Sequence, residues 1–295
     1  MFTIADAGIE TALTDRLGCD LPEFAAFALL DTNEGREALT EYFRPFAQLA
    51  VNHSLPLVLD TPTWRANPDW GQVLGYDGEA LDRINADAVR FTRDVAEQCA
   101  PGHEVTVAGV VGPRYDDDGA TTMTAQEAYD YHLPQVRALA AADADRVTAV
   151  TMTDAGEAEG VTRAAQAVGV PVVVSFSVGP DGRLASGASL AEAIVTVDEA
   201  TGGYPVGYMI NCAHPSEAVL ALREARDHGG SAIPRITGFK LNAAQHGDDG
   251  PGDTPEAFAD AVLGLRVYAP EARTMGGCCG TDAPHIAAIA ERAAV

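Results

Sequence analysis

Short apolar, β-branched runs recur along the chain and alternate with longer amphipathic stretches. The sequence holds eight such runs, at residues 2–5, 55–60, 105–111, 146–151, 170–177, 206–211, 235–241 and 273–275. Between them lie stretches rich in Ala, Leu, Glu and Arg, for example 79–99, 126–142, 155–168 and 215–228. Strands that alternate with helices indicate βαβ units and a parallel sheet. Eight repeats in 295 residues predict an α/β fold, a single TIM-type (β/α)8 barrel, in preference to an open sheet.

The length and composition of the chain fit this prediction. The sequence is 47% hydrophobic, which is enough for one domain over residues 1–295 with a full core. It contains no run of about 18 uninterrupted apolar residues, so no membrane span is predicted. The first residues lack the basic start and the apolar centre of a signal peptide. We therefore expect a soluble, cytoplasmic protein.

The chain is strongly acidic, with 43 Asp and Glu residues against 19 Lys and Arg residues and a formal net charge of −24. Such a surface repels nucleic-acid phosphates and anionic membranes, so we expect neither as a partner. Two explanations of the acidity remain open, adaptation to high salt and the codon bias of a high-GC genome. Among the basic residues only Lys240 is a lysine.

Five cysteines are present, Cys19, Cys99, Cys212, Cys278 and Cys279. Their odd number and the expected intracellular location argue against a disulfide framework. In barrel enzymes the reactive groups lie at the C-terminal ends of the strands. Cys212 follows the sixth run, and Cys278 and Cys279 follow the eighth, so we expect these three to converge at one barrel mouth. Cys19 and Cys99 are expected to be buried structural residues.

Three convergent thiolates are a typical ligand set for zinc. Soft sulfur donors select this metal, and three protein ligands leave its fourth position open, as in a catalytic site. Two adjacent cysteines can both ligate only if the backbone turns sharply, which Gly276, Gly277 and Gly280 are expected to permit. Zinc with three thiolates carries a charge of about −1, so it suits a substrate thiol held as thiolate better than the splitting of water. The predicted chemistry is alkyl transfer to sulfur, with the three cysteines as metal ligands and catalytic groups. A redox pair is the rival interpretation, but redox motifs usually have the spacing Cys-x-x-Cys.

The residues around these cysteines resemble the homocysteine S-methyltransferase family. Gly276-Gly277-Cys278-Cys279-Gly280-Thr281, followed by Pro284-His285-Ile286, is similar to the C-terminal signature of that family, and Asn211-Cys212 is similar to its upstream motif. The resemblance runs across the whole chain. Further similar segments are Asp6-Ala7-Gly8-Ile9-Glu10-Thr11, Thr61-Pro62-Thr63-Trp64-Arg65-Ala66, Ala108-Gly109-Val110-Val111-Gly112-Pro113, Val174-Ser175-Phe176-Ser177 and residues 181–187.

The resemblance implies a zinc enzyme of methionine biosynthesis that moves a methyl group from a sulfonium or quaternary ammonium donor to a thiol such as homocysteine. The three cysteines would be the zinc ligands, and the backbone near Asp6, Ala7 and Gly8 would hold the amino-acid end of the acceptor. The other predicted substrate-binding residues are Glu10, Asp60, Thr63, Trp64, Arg65, Thr151, Asn211 and Asn242. For Trp64, together with Trp70, a cation–π wall for the donor and a hydrophobic loop anchor both remain open.

The sequence departs from the family pattern at the fourth run. The family usually carries Glu-Thr there, and that Glu binds the ammonium of homocysteine; here residues 149–154 keep Thr151 but lack the acid. Asp154, shifted along the loop, is the candidate replacement. Arg65 stands where relatives have an uncharged polar residue, and Trp64 stands for a tyrosine. These differences predict that homocysteine is a poor acceptor and that a thiol with a carboxylate but no ammonium does better.

Two other functions remain open for the same scaffold. One is thiol-dependent chemistry on another sulfur compound, which the absent acid favours. The other is a non-catalytic zinc-binding barrel, against which the three cysteines argue. Residues 64–75 and the run Asp116-Asp117-Asp118-Gly119 are predicted to be loops after the second and third strands, the acidic run being a solvated turn.

Overall fold

A computed structural model describes residues 2–115, 121–227, 230–248 and 250–293. Within these ranges eight parallel strands close into a barrel in chain order, which confirms the predicted (β/α)8 fold. The closing pair joins the first strand to the last through Thr3 opposite Thr274 and Ile4 opposite Met275. The strands are β1 (Thr3–Ala5), β2 (Leu57–Asp60), β3 (Val105–Val111), β4 (Arg146–Met152), β5 (Val172–Phe176), β6 (Gly207–Asn211), β7 (Ile236–Leu241) and β8 (Thr274–Gly277).

Helices surround the strands and begin at clear capping signals. Thr124 caps one helix and Ser189 another, each in a reciprocal capping box with the Glu three residues on. In the described ranges the α-helices are α1 (Ile9–Thr11), α2 (Asn33–His53), α3 (Pro68–Leu74), α4 (Gly78–Cys99), α5 (Ala125–Ala141), α6 (Ala155–Val168), α7 (Leu190–Thr201), α8 (Pro215–Asp227), α9 (Pro255–Gly264) and α10 (Ala283–Ala293). A turn of π-helix, Ala12–Arg16, continues α1. None of the helices in these ranges combines the length and apolar character needed to span a bilayer.

The prediction that residues 64–75 form a loop is wrong for its second half, where α3 lies. Asn67 caps this helix by accepting a hydrogen bond from the Trp70 amide at 3.2 Å, and Pro68 occupies its first turn. Asn followed by Pro is a helix start as well as a turn signal, because proline at the first helical position leaves no donor unpaired. The predicted Asp116–Asp118 turn lies outside the described residues.

Two separate packing regions position the mouth of the barrel. The larger core lies between strands and helices and includes the fully buried rings of Tyr42, Phe43 and Phe46 on α2. Inside the barrel, small side chains form a second cluster of Ala5, Val58 and Ala108. Since successive strand residues alternate between the two faces, the next inward positions of β2 and β7 are Asp60 and Lys240, and both are buried. The barrel interior therefore becomes charged towards its C-terminal mouth.

Candidate active site

The three predicted cysteines meet at the C-terminal mouth of the barrel. Cys212 directly follows β6, and Cys278 and Cys279 directly follow β8. Their sulfur atoms all lie within 4.8 Å of one another, and those of Cys212 and Cys278 are 2.7 Å apart. No other group of three or more His, Cys, Asp or Glu in the described ranges is close enough to share a metal ion. Cys19 and Cys99 pack instead against the main core, but both are only partly buried and not fully buried as predicted.

The end of β6 is held in an unusual backbone conformation. Cys212 has φ at 50° and Thr151, at the end of β4, has φ at 58°, a region that non-glycine residues rarely adopt. Asn211 links the two strand ends. Its Oδ1 accepts from the Thr151 amide at 2.9 Å and from the Ser175 hydroxyl at 2.6 Å, and its Nδ2 donates to Thr151 Oγ1 at 3.0 Å. Such strain, held by surrounding hydrogen bonds, is typical of functional sites.

A second set of hydrogen bonds holds the Cys278–Cys279 turn. The Cys278 amide donates to the Leu241 carbonyl at 2.8 Å, and the Cys279 amide donates to Asn242 Oδ1 at 3.1 Å. The Thr281 hydroxyl donates to the Cys278 carbonyl at 2.7 Å. Asn242 therefore orients the turn, and it does not line the cavity described below.

The two glycines before the cysteines serve a different purpose from the predicted one. Only Gly280 has a positive φ, 72°; Gly276 and Gly277 are strand residues of β8. A Cβ on Gly277 would lie 2.0 Å from Thr281 Oγ1, and one on Gly276 would lie 2.7 Å from the Asp6 carbonyl oxygen. These positions need glycine because neighbouring atoms approach closely, which a sequence cannot reveal.

The three sulfurs fit a zinc ion by chemistry and by spacing. Tetrahedral zinc–sulfur bonds of about 2.3 Å place the sulfurs about 3.8 Å apart. The cluster is no wider than 4.8 Å, and the Cys212 and Cys278 sulfurs, at 2.7 Å, would separate by about 1 Å to bind the ion. Hydrogen bonds from the other two thiols hold the pKa of Cys278 well below its usual range, while donation to Cys278 raises the pKa of Cys212. One thiolate is thus stabilised by its neighbours. A divalent cation would be needed for all three to ionise at neutral pH.

A cavity that is partly open to solvent lies against the cysteines, and the empty space within it and its opening amounts to about 670 Å³. It brings together most of the predicted substrate-binding residues. Those that line it with the three cysteines are Asp6, Ala7, Gly8, Glu10, Asp60, Trp64, Thr151 and Asn211. Lining residues that the sequence analysis did not assign are Ile9, Thr11, Phe24, Thr61, Val110, Val150, Lys240 and Gly277.

Lys240 forms a buried ion cluster at the base of this cavity. Its Nζ lies 2.5 Å from Asp6 Oδ1 and 2.5 Å from Asp60 Oδ2. The Asp60 amide donates to the other Asp6 oxygen at 3.0 Å. Burial raises the pKa of Asp6 to about 7 against the opposing effect of Lys240, and the two carboxylates raise the pKa of Lys240 despite its burial. Two sequence features could have identified Lys240 as a site residue. It is the single lysine of the chain, and it lies at the C-terminal end of a predicted strand.

Ala7 contributes to the cavity wall, but its backbone is already engaged. Its amide donates to the Tyr42 hydroxyl at 3.2 Å, and that hydroxyl donates to the Ala7 carbonyl at 2.7 Å. Gly8 approaches the cysteine turn closely, since a Cβ there would lie 2.5 Å from the Cys278 carbonyl oxygen. Of the predicted backbone contacts, Gly8 is therefore the better candidate.

Two residues of the loop after β2 lie outside the cavity lining. The fully buried Thr63 hydroxyl lies 2.7 Å from Thr61 Oγ1 and donates to the Val110 carbonyl. The Arg65 guanidinium stacks on Trp64 and Trp70, at 4.7 and 4.1 Å from the ring centroids, and donates to the backbone carbonyl of residue 23. The cation that the two tryptophans contact is thus an arginine of the protein itself.

Asp154 also lies outside the cavity lining. It is the N-cap of α6, and its Oδ1 accepts from the Glu157 amide at 3.0 Å. At the end of β4 the cavity wall is formed by Val150 and Thr151. Asp154 is accordingly placed to start a helix, where an Asp is a preferred residue, and not to replace the absent acid of β4.

The fold and the thiol cluster define a barrel enzyme with a sulfur-based reactive centre. The sequence model described as homocysteine S-methyltransferase matches residues 3–293. The chain therefore belongs to the homocysteine S-methyltransferase family and is a methyltransferase, as the sequence motifs predicted.

Individual relatives agree with this assignment. The chain is 27% identical over 314 residues to homocysteine S-methyltransferase of Escherichia coli (strain K12), covering 98% of this chain and 94% of the relative. It is 28% identical over 317 residues to betaine–homocysteine S-methyltransferase 1 of Danio rerio, covering 98% and 72%. The metallated form of the homocysteine methyltransferase MmuM from Escherichia coli shares the fold, with a TM-score of 0.78, 23% identity and coverage of 99% and 96%.

Proposed function

We propose that this protein is a zinc-dependent S-methyltransferase that moves a methyl group from a small onium donor, of the sulfonium or betaine type, to the thiol of homocysteine. The observation that carries the proposal is the cluster of three cysteine sulfurs within 4.8 Å at the barrel mouth. Two relatives, a homocysteine S-methyltransferase and a betaine–homocysteine S-methyltransferase, support the choice of substrates.

Cys212, Cys278 and Cys279 would hold the metal. When bound, zinc supplies a Lewis acid that keeps the acceptor sulfur as a thiolate at neutral pH. The residues of the chain provide the rest. Asn211 fixes the Cys212 strand end, and Asn242 orients the Cys279 amide, so the ligand set is held in one geometry before any substrate binds.

The cavity must bring two substrates into line. In the displacement the donor's bond between carbon and sulfur or nitrogen breaks, the carbon–sulfur bond of the product forms, and the leaving atom keeps the electron pair. The thiolate must approach the methyl carbon to about 3–3.5 Å opposite the leaving atom. A positive and a negative charge disappear together, so an apolar wall opposes this step less than water does. Ile9, Phe24, Val110 and Val150 provide such a wall beside the cysteines.

The sequence-based prediction that homocysteine is a poor acceptor is only partly supported by the structure. It rested on an absent carboxylate at the end of β4 and on an Arg65 charge in the pocket. Arg65 is held outside the cavity lining, and Glu10 is a carboxylate inside it. An ammonium-bearing acceptor is therefore compatible with this cavity.

The test is metal analysis combined with product analysis on protein purified without chelator. We expect about one zinc per chain. We also expect mass spectrometry to detect methionine formed from homocysteine when S-methylmethionine or glycine betaine is the methyl donor. Cys279→Ser should lose both zinc and at least 100-fold in activity, whereas Cys99→Ser, the matched control at a core cysteine, should keep both. Full activity of metal-free protein, or zinc-loaded protein inactive with every onium donor, would contradict the proposal.

A further inference from the structure

Glu10 places a carboxylate in the cavity on the side of the first strand–helix connection. It lies two residues after Gly8, whose backbone packs against the Cys278 carbonyl, so its segment is pressed against the cysteine turn. Glu10 and the three cysteines line the same cavity.

The other two cavity carboxylates are already paired. Asp6 and Asp60 both contact the Lys240 ammonium. For Glu10, by contrast, no side chain in the described ranges donates a hydrogen bond to the carboxylate. Desolvation of this partly exposed side chain raises the pKa of Glu10 to about 8, against the weaker opposing effects of the Arg65 and Lys240 charges. A cation delivered by a ligand would stabilise its charged form.

The two substrates of the proposed reaction each offer a positive charge, the ammonium of the amino-acid acceptor and the onium centre of the donor. They differ during the reaction. The onium charge disappears as the methyl group leaves, so a carboxylate beside it would stabilise the reactant more than the transition state and slow the reaction. The ammonium of the acceptor stays charged throughout. A carboxylate beside the ammonium adds affinity without that cost.

We propose that Glu10 binds the ammonium group of the amino-acid thiol acceptor and determines the preference for such thiols over thiols that lack an ammonium. This inference rests on the proposed function and deepens it. Glu10, on α1, would supply the charge that the family resemblance places at the end of β4, where Val150 lines the cavity. The cavity would then keep an acid, carried by a different strand–helix connection.

The test compares two acceptors that differ in the ammonium group, homocysteine and 3-mercaptopropionate, with one methyl donor. In Glu10→Gln the ratio of kcat/KM for homocysteine to that for 3-mercaptopropionate should fall about 10- to 100-fold, the loss expected for a hydrogen bond between charged groups. The fall should lie mainly in the KM for homocysteine. Glu41→Gln, which removes an exposed charge on α2, is the matched control and should leave the ratio unchanged.

A charge-relocation variant separates recognition from folding. Glu10→Ala should lose the preference, and the double variant Glu10→Ala/Val150→Glu should regain at least tenfold of it, because both positions face the same cavity. A change in the KM of the donor alone, or an unaltered acceptor ratio in Glu10→Gln, would overturn the proposal.

Calorimetric titration of the zinc-loaded protein distinguishes this failure from failure of the proposed function. Wild type and Glu10→Gln could both bind homocysteine more tightly than 3-mercaptopropionate, with the same ratio of affinities. In that case only the assignment of Glu10 is wrong. If wild type binds neither thiol, the proposed function itself is wrong, and the assignment of Glu10 falls with it.

Discussion

The two sides of the cavity are built in different ways. On the proposed metal side, at the ends of β6 and β8, the three cysteines are positioned mainly by backbone contacts, an unusual φ at Cys212 and close approaches at Gly276 and Gly277. On the proposed acceptor side, at the ends of β1, β2 and β7, positions are set by charge, in the cluster of Lys240 with two aspartates. Backbone contacts tolerate almost no substitution. A charged cluster depends instead on the balance of its charges, so the two sides should respond differently to substitution.

Removing the Lys240 charge should have the largest effect on stability. Lys240→Met leaves two buried carboxylates without their cation, a change that costs about 3–5 kcal/mol of unfolding free energy. Urea unfolding measures this loss, and zinc content per folded chain should stay near that of wild type because all three cysteines are kept.

The double variant Lys240→Met/Asp60→Asn should recover part of the stability, since it removes one of the stranded charges. Arg83→Met, which deletes an exposed cation on α4, is the control and should change stability by less than about 0.5 kcal/mol. A loss in Lys240→Met no greater than in this control would mean that charge does not organise the acceptor side.

Gly277→Ala should damage the metal side selectively. Its Cβ would lie 2.0 Å from Thr281 Oγ1, and overpacking of this kind costs about 1–3 kcal/mol. The displaced turn carries Cys278, so the main effect should be a lower zinc content per folded chain. The loss of unfolding free energy should be the lesser effect. Gly78→Ala is the matched control, because nothing lies within 4 Å of a Cβ there. Normal zinc content in Gly277→Ala would contradict the view that close backbone approach holds the ligands.

The smallest effect expected is a gain in stability from Glu10→Gln. Burial raises the pKa of Glu10 in the folded protein to about 8, from 4.5. Between these values the folded state binds the proton more tightly than the unfolded state, so the unfolding free energy falls as pH rises from about 4.5 to 8. Glu10→Gln should remove that fall. The full shift corresponds to about 4.8 kcal/mol, but the side chain is partly exposed and solvent screens it, so we expect a gain on the order of 1 kcal/mol at pH 8 and almost none at pH 4.5.

Urea unfolding at both pH values measures the difference, with Glu41→Gln as reference. An equal gain at both pH values would show that the Glu10 charge is not what destabilises the cavity. A gain confined to high pH would mark Glu10 as a residue kept for binding at the expense of stability.

The fold and the metal side were predictable because each rests on a local pattern. Eight strand–helix repeats define the barrel, and three cysteines at two strand ends predict one thiolate cluster. The acceptor side was less accessible, since side-chain direction after a strand depends on tertiary contacts. Thr63 and Arg65 point away from the cavity for that reason. Lys240 was notable as the single lysine, but its two aspartate partners, Asp6 and Asp60, lie at the ends of other strands. The sequence therefore did not predict this cluster.

The pairing of β1 with β8 also determines how this molecule can fold. Asp6 and Lys240 are 234 residues apart in the chain yet share a hydrogen bond, and strand Thr3–Ala5 finishes its ladder only against Thr274–Gly277. Contacts of such long sequence separation lose much chain entropy before they gain energy, which slows folding. On the ribosome, the first strand must wait for nearly the entire chain before its second edge is covered. A chain stalled before β8 therefore lacks both the closed barrel and two of the three clustered cysteines.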